Sequence, residues 1–410
     1  MGMVKPGSGL LAALLAATVC GSGCGGSSPP TSPTSAPPSS QTSSTTPPAP
    51  STTAPTPTRT CAERVLQGMS EPQRIGQLFL LGLATDRLGP AEIGAIRTDH
   101  FGSVWFVDKS SSGASAIRGV ADAVQRQATR RNTAGVRFYV AANQEGGVIQ
   151  SLAGPGFSAI PSVLQQGMLD PSTLRADART WGNELTAAGV NFNFAPVMDV
   201  VPPGTDAQNQ PIGALQREYG HDPKTAGSHG VAFLRGMKRA GVTTSAKHFP
   251  GLGRVQGNTD FAANVVDRVT TADDPYLESF AEAVNAGVPF VMVALATYQG
   301  IDPTRLAVFS PTVIGQMLRH DLHFDDVVLS DDLGATSAVA SIPPRQRAVD
   351  FLEAGGDMVI AKTLEPALAM YAGVLDRATG DAAFRGVVDE AALRVLAAKQ
   401  ASGLLPCGAG

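Results

Sequence analysis

Cysteine and histidine are scarce in this chain, four and six respectively among 410 residues. No cysteine stands where a catalytic nucleophile would, and there is no H-E-x-x-H pair and no G-x-S-x-G elbow. His320 and His323 are spaced by three but fall near a helix end, a poor setting for metal ligands. Aromatic residues make up only 6%, with two tryptophans, which argues against a base-stacking platform. Net charge is −4 and no long basic run occurs, so nucleic acid is excluded as a partner. No G-x-G-x-x-G follows the first strand-like segment, so a dinucleotide fold has no direct support. The apolar run at residues 10–19 is too short to span a bilayer securely.

What is present divides the chain into three parts. Lys5 followed by that apolar run fits an export signal. Gly21-Ser22-Gly23-Cys24 then resembles a bacterial lipoprotein cleavage site, with residues 1–24 as signal and Cys24 as the lipidated residue. A plain secretory peptide is the other reading. Residues 25–60 are nearly all Ser, Thr, Pro, Gly and Ala, and cannot bury enough apolar surface to offset their ordering entropy. They read as a tether. Residues 61–410 are long enough for one α/β barrel core.

Within that part, short apolar segments at 77–83, 103–107, 137–142, 191–196, 243–247, 289–295, 326–330 and 357–360 read as buried parallel strands. Helical patterns separate most of them, at 112–129, 174–188, 223–239, 274–285, 311–319 and 345–353. Three end in Ala-Gly before the next strand, a helix stop followed by a short connection. A helical tail from 365 to 401 breaks around Thr379-Gly380. Eight such units predict a (β/α)8, TIM-like barrel; an open doubly wound sheet is the alternative. Cys61 opens the domain and Cys407 nearly ends it. Barrel termini often lie close together, so these two are expected to form a disulfide, the other reading being two free thiols.

In a barrel, catalytic groups come from the C-terminal ends of the strands. Those positions carry Asp86, Asp108, Asn143, Glu145, Asp199, Lys247, His248, Thr297, Tyr298, Asp331, Asp332 and Lys362. Adjacent Asp331 and Asp332 point opposite ways on extended backbone, so one faces the mouth while the other braces the loop. Carboxylates in a closed site suit glycosyl transfer; a helix N-cap is the bland reading of Asp331. The polar segments after Asp199 and from Gly251 to Asp273 are long loops that should roof the site. Trp105 and Trp181 read as core. Phe249 and Tyr298 are candidate sugar-stacking rings. His221, just before a helix, reads as a surface loop residue.

Five ordered runs carry a resemblance: Gln144-Glu145-Gly146-Gly147, Asn191 through Val200, Arg217 through Pro223, Lys247-His248-Phe249-Pro250-Gly251 and Ser330-Asp331-Asp332-Leu333. From about residue 64 to 400 the chain resembles glycoside hydrolase family 3, in particular its single-domain bacterial β-N-acetylglucosaminidases. The resemblance implies a retaining, exo-acting mechanism on terminal N-acetylglucosamine, with no metal or organic cofactor. Asp331 matches the nucleophile. Lys247, His248, Arg217, Asp199, Asn143 and Glu145 match positions that bind the sugar or shape its pocket, and Asp332 supports the nucleophile loop.

The departures bear on proton transfer. Single-domain members carry Asp-Ser-His on the loop after the fifth strand, where the histidine is the acid/base; here the run is Asp260-Phe261-Ala262. Leu252 and Leu295 stand where further histidines are usual, and Asn143 where an aspartate is. Three outcomes follow: another acid/base serves, with Asp260 first and Glu145 second; only activated aryl glycosides are cleaved; or the barrel is a non-catalytic sugar-binding or scaffold lipoprotein. A β-glucosidase is the enzymatic alternative. An exported, lipid-anchored monomer on the outer side of the cytoplasmic membrane would meet carbohydrate of the cell wall, that is, peptidoglycan or muropeptide fragments.

Overall fold

The computed structural model describes residues 59–84 and 87–407. The signal, Cys24, the tether and Asp86 lie outside the described residues. Eight parallel strands close into a barrel: β1 (Phe79–Leu83), β2 (Ser103–Phe106), β3 (Tyr139–Ala142), β4 (Phe192–Asn193), β5 (Thr243–Phe249), β6 (Phe290–Val293), β7 (Val327–Asp332) and β8 (Met358–Ala361). Each pairs with its sequence neighbours, and β1 pairs with both β2 and β8, which completes the ring. The strands expected from the sequence are these eight, and the open sheet is set aside. Seven of them are wholly buried, and β7 is buried apart from Asp331, as strands covered on both faces must be.

β4 is shorter than its apolar run suggests. Pro196 has no N–H to give to a ladder. The chain still tracks β5, because Ala195 and Pro196 carbonyls accept from Ser245 and Lys247 N–H at 3.0 and 3.1 Å. The helix Pro223–Arg239 has the expected bounds, with Asp222 as N-cap accepting from the Thr225 N–H. Gly241, Gly287 and Gly355 follow three of the helices with φ of 77°, 75° and 101°, a left-handed turn that side chains disfavour. The tail helix breaks at Asp381 into Leu364–Gly380 and Ala382–Ala401.

The end of that last helix shuts the N-terminal mouth of the barrel. Buried Lys399 donates to Gln77 Oε1 at 2.8 Å and to the Gly102 carbonyl at 2.7 Å. Ser402 Oγ lies 3.1 Å from both the Tyr139 hydroxyl and Thr243 Oγ1. Tyr139, Phe192 and Phe290 stack above them inside the barrel, with centroids 5.2 and 4.6 Å apart. Only the C-terminal mouth is left open. Cys61 and Cys407 form the expected disulfide, with Cα atoms 6.1 Å apart. Among the described residues no helix is long and apolar enough to cross a membrane.

The segment from Gly251 to Asp273 is not all loop. Val266–Thr271 is a strand, and with Thr297–Gly300 and Asp302–Leu306 it builds a separate three-stranded sheet. Asp267, fully buried, takes the N–H groups of Val269 and Thr270 on its carboxylate, each at 2.8 Å. A polar core of this kind hides a strand from any apolar count.

Candidate active site

A cavity of about 530 Å³ opens at the C-terminal mouth. Asn143, Arg217, Lys247, His248, Asp260, Asp331, Asp332 and Lys362 all line it. Trp105, Phe194, Leu252, Met292 and Ile360 supply apolar wall.

The floor is a charge cluster. Glu145 sits on a short ribbon, Gln144–Gly146, just after β3 and is 1% exposed. Its carboxylate takes two parallel bonds from Arg217, Nε to Oε2 and Nη2 to Oε1, both 2.8 Å. Lys247 Nζ lies 2.5 Å from Glu145 Oε1 and donates to Asn143 Oδ1 at 2.8 Å. Burial alone would raise the Glu145 carboxyl, but the Arg217 and Lys247 charges overcome it and hold it at about 2. For Lys247 burial outweighs the attraction of Glu145, and its ammonium is lowered. Glu145 is not among the lining residues. Its place is beneath the sugar-facing groups, as their shared counter-ion, and a carboxylate held ionised at neutral pH cannot serve as the proton donor. Asp199, also fully buried, plays the same part for His248: it accepts from Nδ1 at 2.7 Å and from the backbone N–H groups of His248 and Leu252 at 3.2 and 2.7 Å. That bond puts the ring proton on Nδ1 and fixes how the ring faces the cavity.

On one wall, β7 ends in the two aspartates. Asp332 is the brace. Its carboxylate takes the N–H groups of Gly334 and Lys362 at 2.8 Å and of Ala335 at 3.1 Å. Asp331 is turned the other way, to the cavity, with one oxygen on the Asp332 N–H at 2.8 Å. At the same mouth, the loop after β5 brings Asp260 and Phe261 to the rim. Asn258 organises it by accepting the Asp260 N–H on Oδ1 at 2.9 Å. The Ser337 and Ala338 N–H groups donate to the Asp260 and Thr259 carbonyls at 3.2 Å, so the loop rests on the segment after β7. Partial burial raises the Asp260 carboxyl, and the Asp331 charge adds to that; Arg217, His248 and Lys362 pull it down less strongly.

Some readings change. Phe249 and Tyr298 are not sugar platforms: Phe249 is fully buried against Phe280, and the Tyr298 hydroxyl donates to the Gly251 carbonyl at 2.8 Å. Trp105, read as core, is 7% exposed and forms cavity wall, edge-on to Phe194. Trp181 is core, against Phe233. Phe261, 83% exposed at the rim, is an aromatic that the sequence flags only by standing where a small polar residue is usual. Asp108 lines a separate surface hollow.

Comparison with known proteins agrees with this fold. A β-hexosaminidase of Alkalilimnicola ehrlichii is 31% identical over 293 residues, covering 69% of this chain and 79% of that protein. The crystal structure of a β-N-acetylhexosaminidase from Beutenbergia cavernae superposes with a TM-score of 0.79 at 47% identity, covering 81% of this chain and 99% of that one. A family 3 β-N-acetylglucosaminidase from a Paenibacillus species gives 0.74 at 26% identity, covering 83% and 64%. Residues 72–398 match the glycosyl hydrolase family 3 N-terminal domain, and the chain belongs to that family.

Proposed function

We propose that this protein is a retaining, exo-acting β-N-acetylglucosaminidase, with Asp331 as nucleophile and Asp260 as acid/base. The observation that carries this reading is the pairing of two unlike carboxyls across one cavity. Asp331 lies over an Arg/Lys floor, and Asp260 is raised by burial and by Asp331 itself. In the first half-reaction the Asp331 carboxylate attacks the anomeric carbon. The glycosidic C–O bond breaks, and the leaving oxygen takes the Asp260 proton. Asp260, now a carboxylate, then takes a proton from water as that water attacks the anomeric carbon and frees Asp331. A cavity confined to one mouth of the barrel supports removal of a terminal sugar over internal cleavage.

The relatives named β-hexosaminidase and β-N-acetylhexosaminidase, and the Paenibacillus β-N-acetylglucosaminidase, support N-acetylglucosamine as the sugar. The leaving group we assign to peptidoglycan or muropeptide fragments, met by a monomer anchored through Cys24 on the outer side of the cytoplasmic membrane. The Cys61–Cys407 disulfide suits such an oxidising compartment. The test is release of 4-nitrophenol from its β-N-acetylglucosaminide and its β-glucoside. Turnover of the first, lost in Asp331→Ala, is expected. Preference for the glucoside would make this a β-glucosidase, and sugar binding without turnover would make it a binding protein.

A further inference from the structure

We propose that Asp206, Glu218 and His221 form a binding site for one divalent cation of zinc-like chemistry, behind the arginine of the active site. One potential ligand atom from each lies within 4.8 Å of the others. All three belong to the long loop after β4, which also carries Arg217 and the lining residues Pro211 and Leu215. Nothing in the hydrolytic reaction uses them.

The second observation is Glu218 itself. The residue is fully buried, and neither carboxylate oxygen meets a hydrogen-bond donor in good geometry. Asp206 Oδ1 also has no hydrogen-bond partner, and His221 Nδ1 lies 3.6 Å from it. Glu218 is buried and Asp206 partly exposed, and two facing carboxyls without donors are costly there unless a cation or a shared proton stands between them. His221 adds an imidazole, with Nδ1 also 3.2 Å from the Val201 carbonyl oxygen.

Two carboxylates and one imidazole are a mixed O/N set. Magnesium and calcium prefer all-oxygen shells, whereas zinc takes such a set with bonds of about 2.0–2.2 Å and tetrahedral geometry. The ligand atoms would then close to about 3.4 Å from one another, a contraction of at most about 1.4 Å from the present 4.8 Å limit. Asp206 and His221 have the room for this, each with a side chain 37% exposed. The cation would join the start of the loop to its end and so fix the backbone on which Arg217 stands.

The experiment uses the full chain, stripped with a chelator and titrated with zinc chloride alone, by calorimetry and by metal analysis after desalting. We expect one zinc per chain retained and a higher melting temperature. Glu218→Gln, which keeps the shape of the buried side chain, and His221→Ala, at a partly exposed position, should each weaken binding at least tenfold and cancel the rise in melting temperature. Failure of the wild-type chain to retain zinc would overturn the proposal and leave a proton shared between Asp206 and Glu218. So would unchanged uptake in both folded variants, or tighter binding of calcium chloride than of zinc chloride.

Discussion

Asp260 and Glu145 are both near the sugar-facing groups, yet their surroundings push them in opposite directions. Glu145 has two cations within bonding distance and is held at about 2; Asp260 has a neighbouring carboxylate and is raised. The lowered Glu145 group contributes stability that is fully present above its unfolded value near 4.5 and is lost as pH falls toward 2. Urea melts of Glu145→Gln should show a loss of about 3–5 kcal/mol at pH 7, the usual cost of breaking a buried pair. The gap to wild type should narrow as pH drops from about 4.5 toward 2; a gap independent of pH would mean that packing, not charge, is what Glu145 supplies. Phe261 makes a second residue-level case. Phe261 is exposed at the cavity rim, and if the proposed leaving sugar lies against it, Phe261→Ala should raise KM for a disaccharide by about tenfold, the worth of one such contact. KM for the aryl glycoside, which lacks that sugar, should change little; equal effects on both would remove Phe261 from the leaving-group site.

At the scale of elements, the loop after β5 is the part that departs most from expectation. Strands such as Val140-Ala141-Ala142 and Val328-Leu329 were legible because a buried parallel strand is a run of apolar residues between polar breaks. Helices were legible from period, and their ends from caps such as Asp222 and glycines such as Gly241. The strand Val266–Thr271 was not legible. Its burial pattern alternates irregularly, and its one fully buried side chain is Asp267, whose partners, the Val269 and Thr270 N–H groups and the Thr270 hydroxyl, no sequence pattern displays. The site divides in the same way. Asn143, Lys247, His248, Asp331 and Lys362 face the cavity from strand ends and could be found by counting, whereas Arg217 and Asp260 face it from long loops and were found only through the family resemblance. Which strand-end residues face it could not: Glu145 and Asp199 lie one layer below, a matter of three-dimensional packing. His221 is partly exposed on its loop, as read, but its neighbours Asp206 and Glu218, 15 and 3 residues away, stand on a loop without period. The raised Asp260 predicts an alkaline limb in the rate profile, since the acid must be protonated and its raised value extends that form to higher pH. In Asp260→Asn that limb should vanish for the aryl glycoside; its persistence would assign the limb to another group.

For the whole molecule, one end of the barrel is built for stability and the other for chemistry. The closed end holds Lys399, Ser402 and the disulfide that joins residues 346 apart in sequence. Replacing both cysteines by serine should lower stability by about 2–4 kcal/mol in denaturant titrations while leaving turnover of the aryl glycoside unchanged at 25 °C. A loss of turnover with the fold intact would mean that the two ends are coupled. The central claim concerns the open end, and intact-protein mass spectrometry of Asp260→Ala mixed with 4-nitrophenyl β-N-acetylglucosaminide tests it most directly. Without Asp260 to activate water, the first step should outrun the second. The account predicts one N-acetylglucosaminyl adduct per chain, mapped by peptide analysis to Asp331 and released when azide is added. An adduct on any other residue, or no adduct in a variant that still turns over at the wild-type rate, would contradict it.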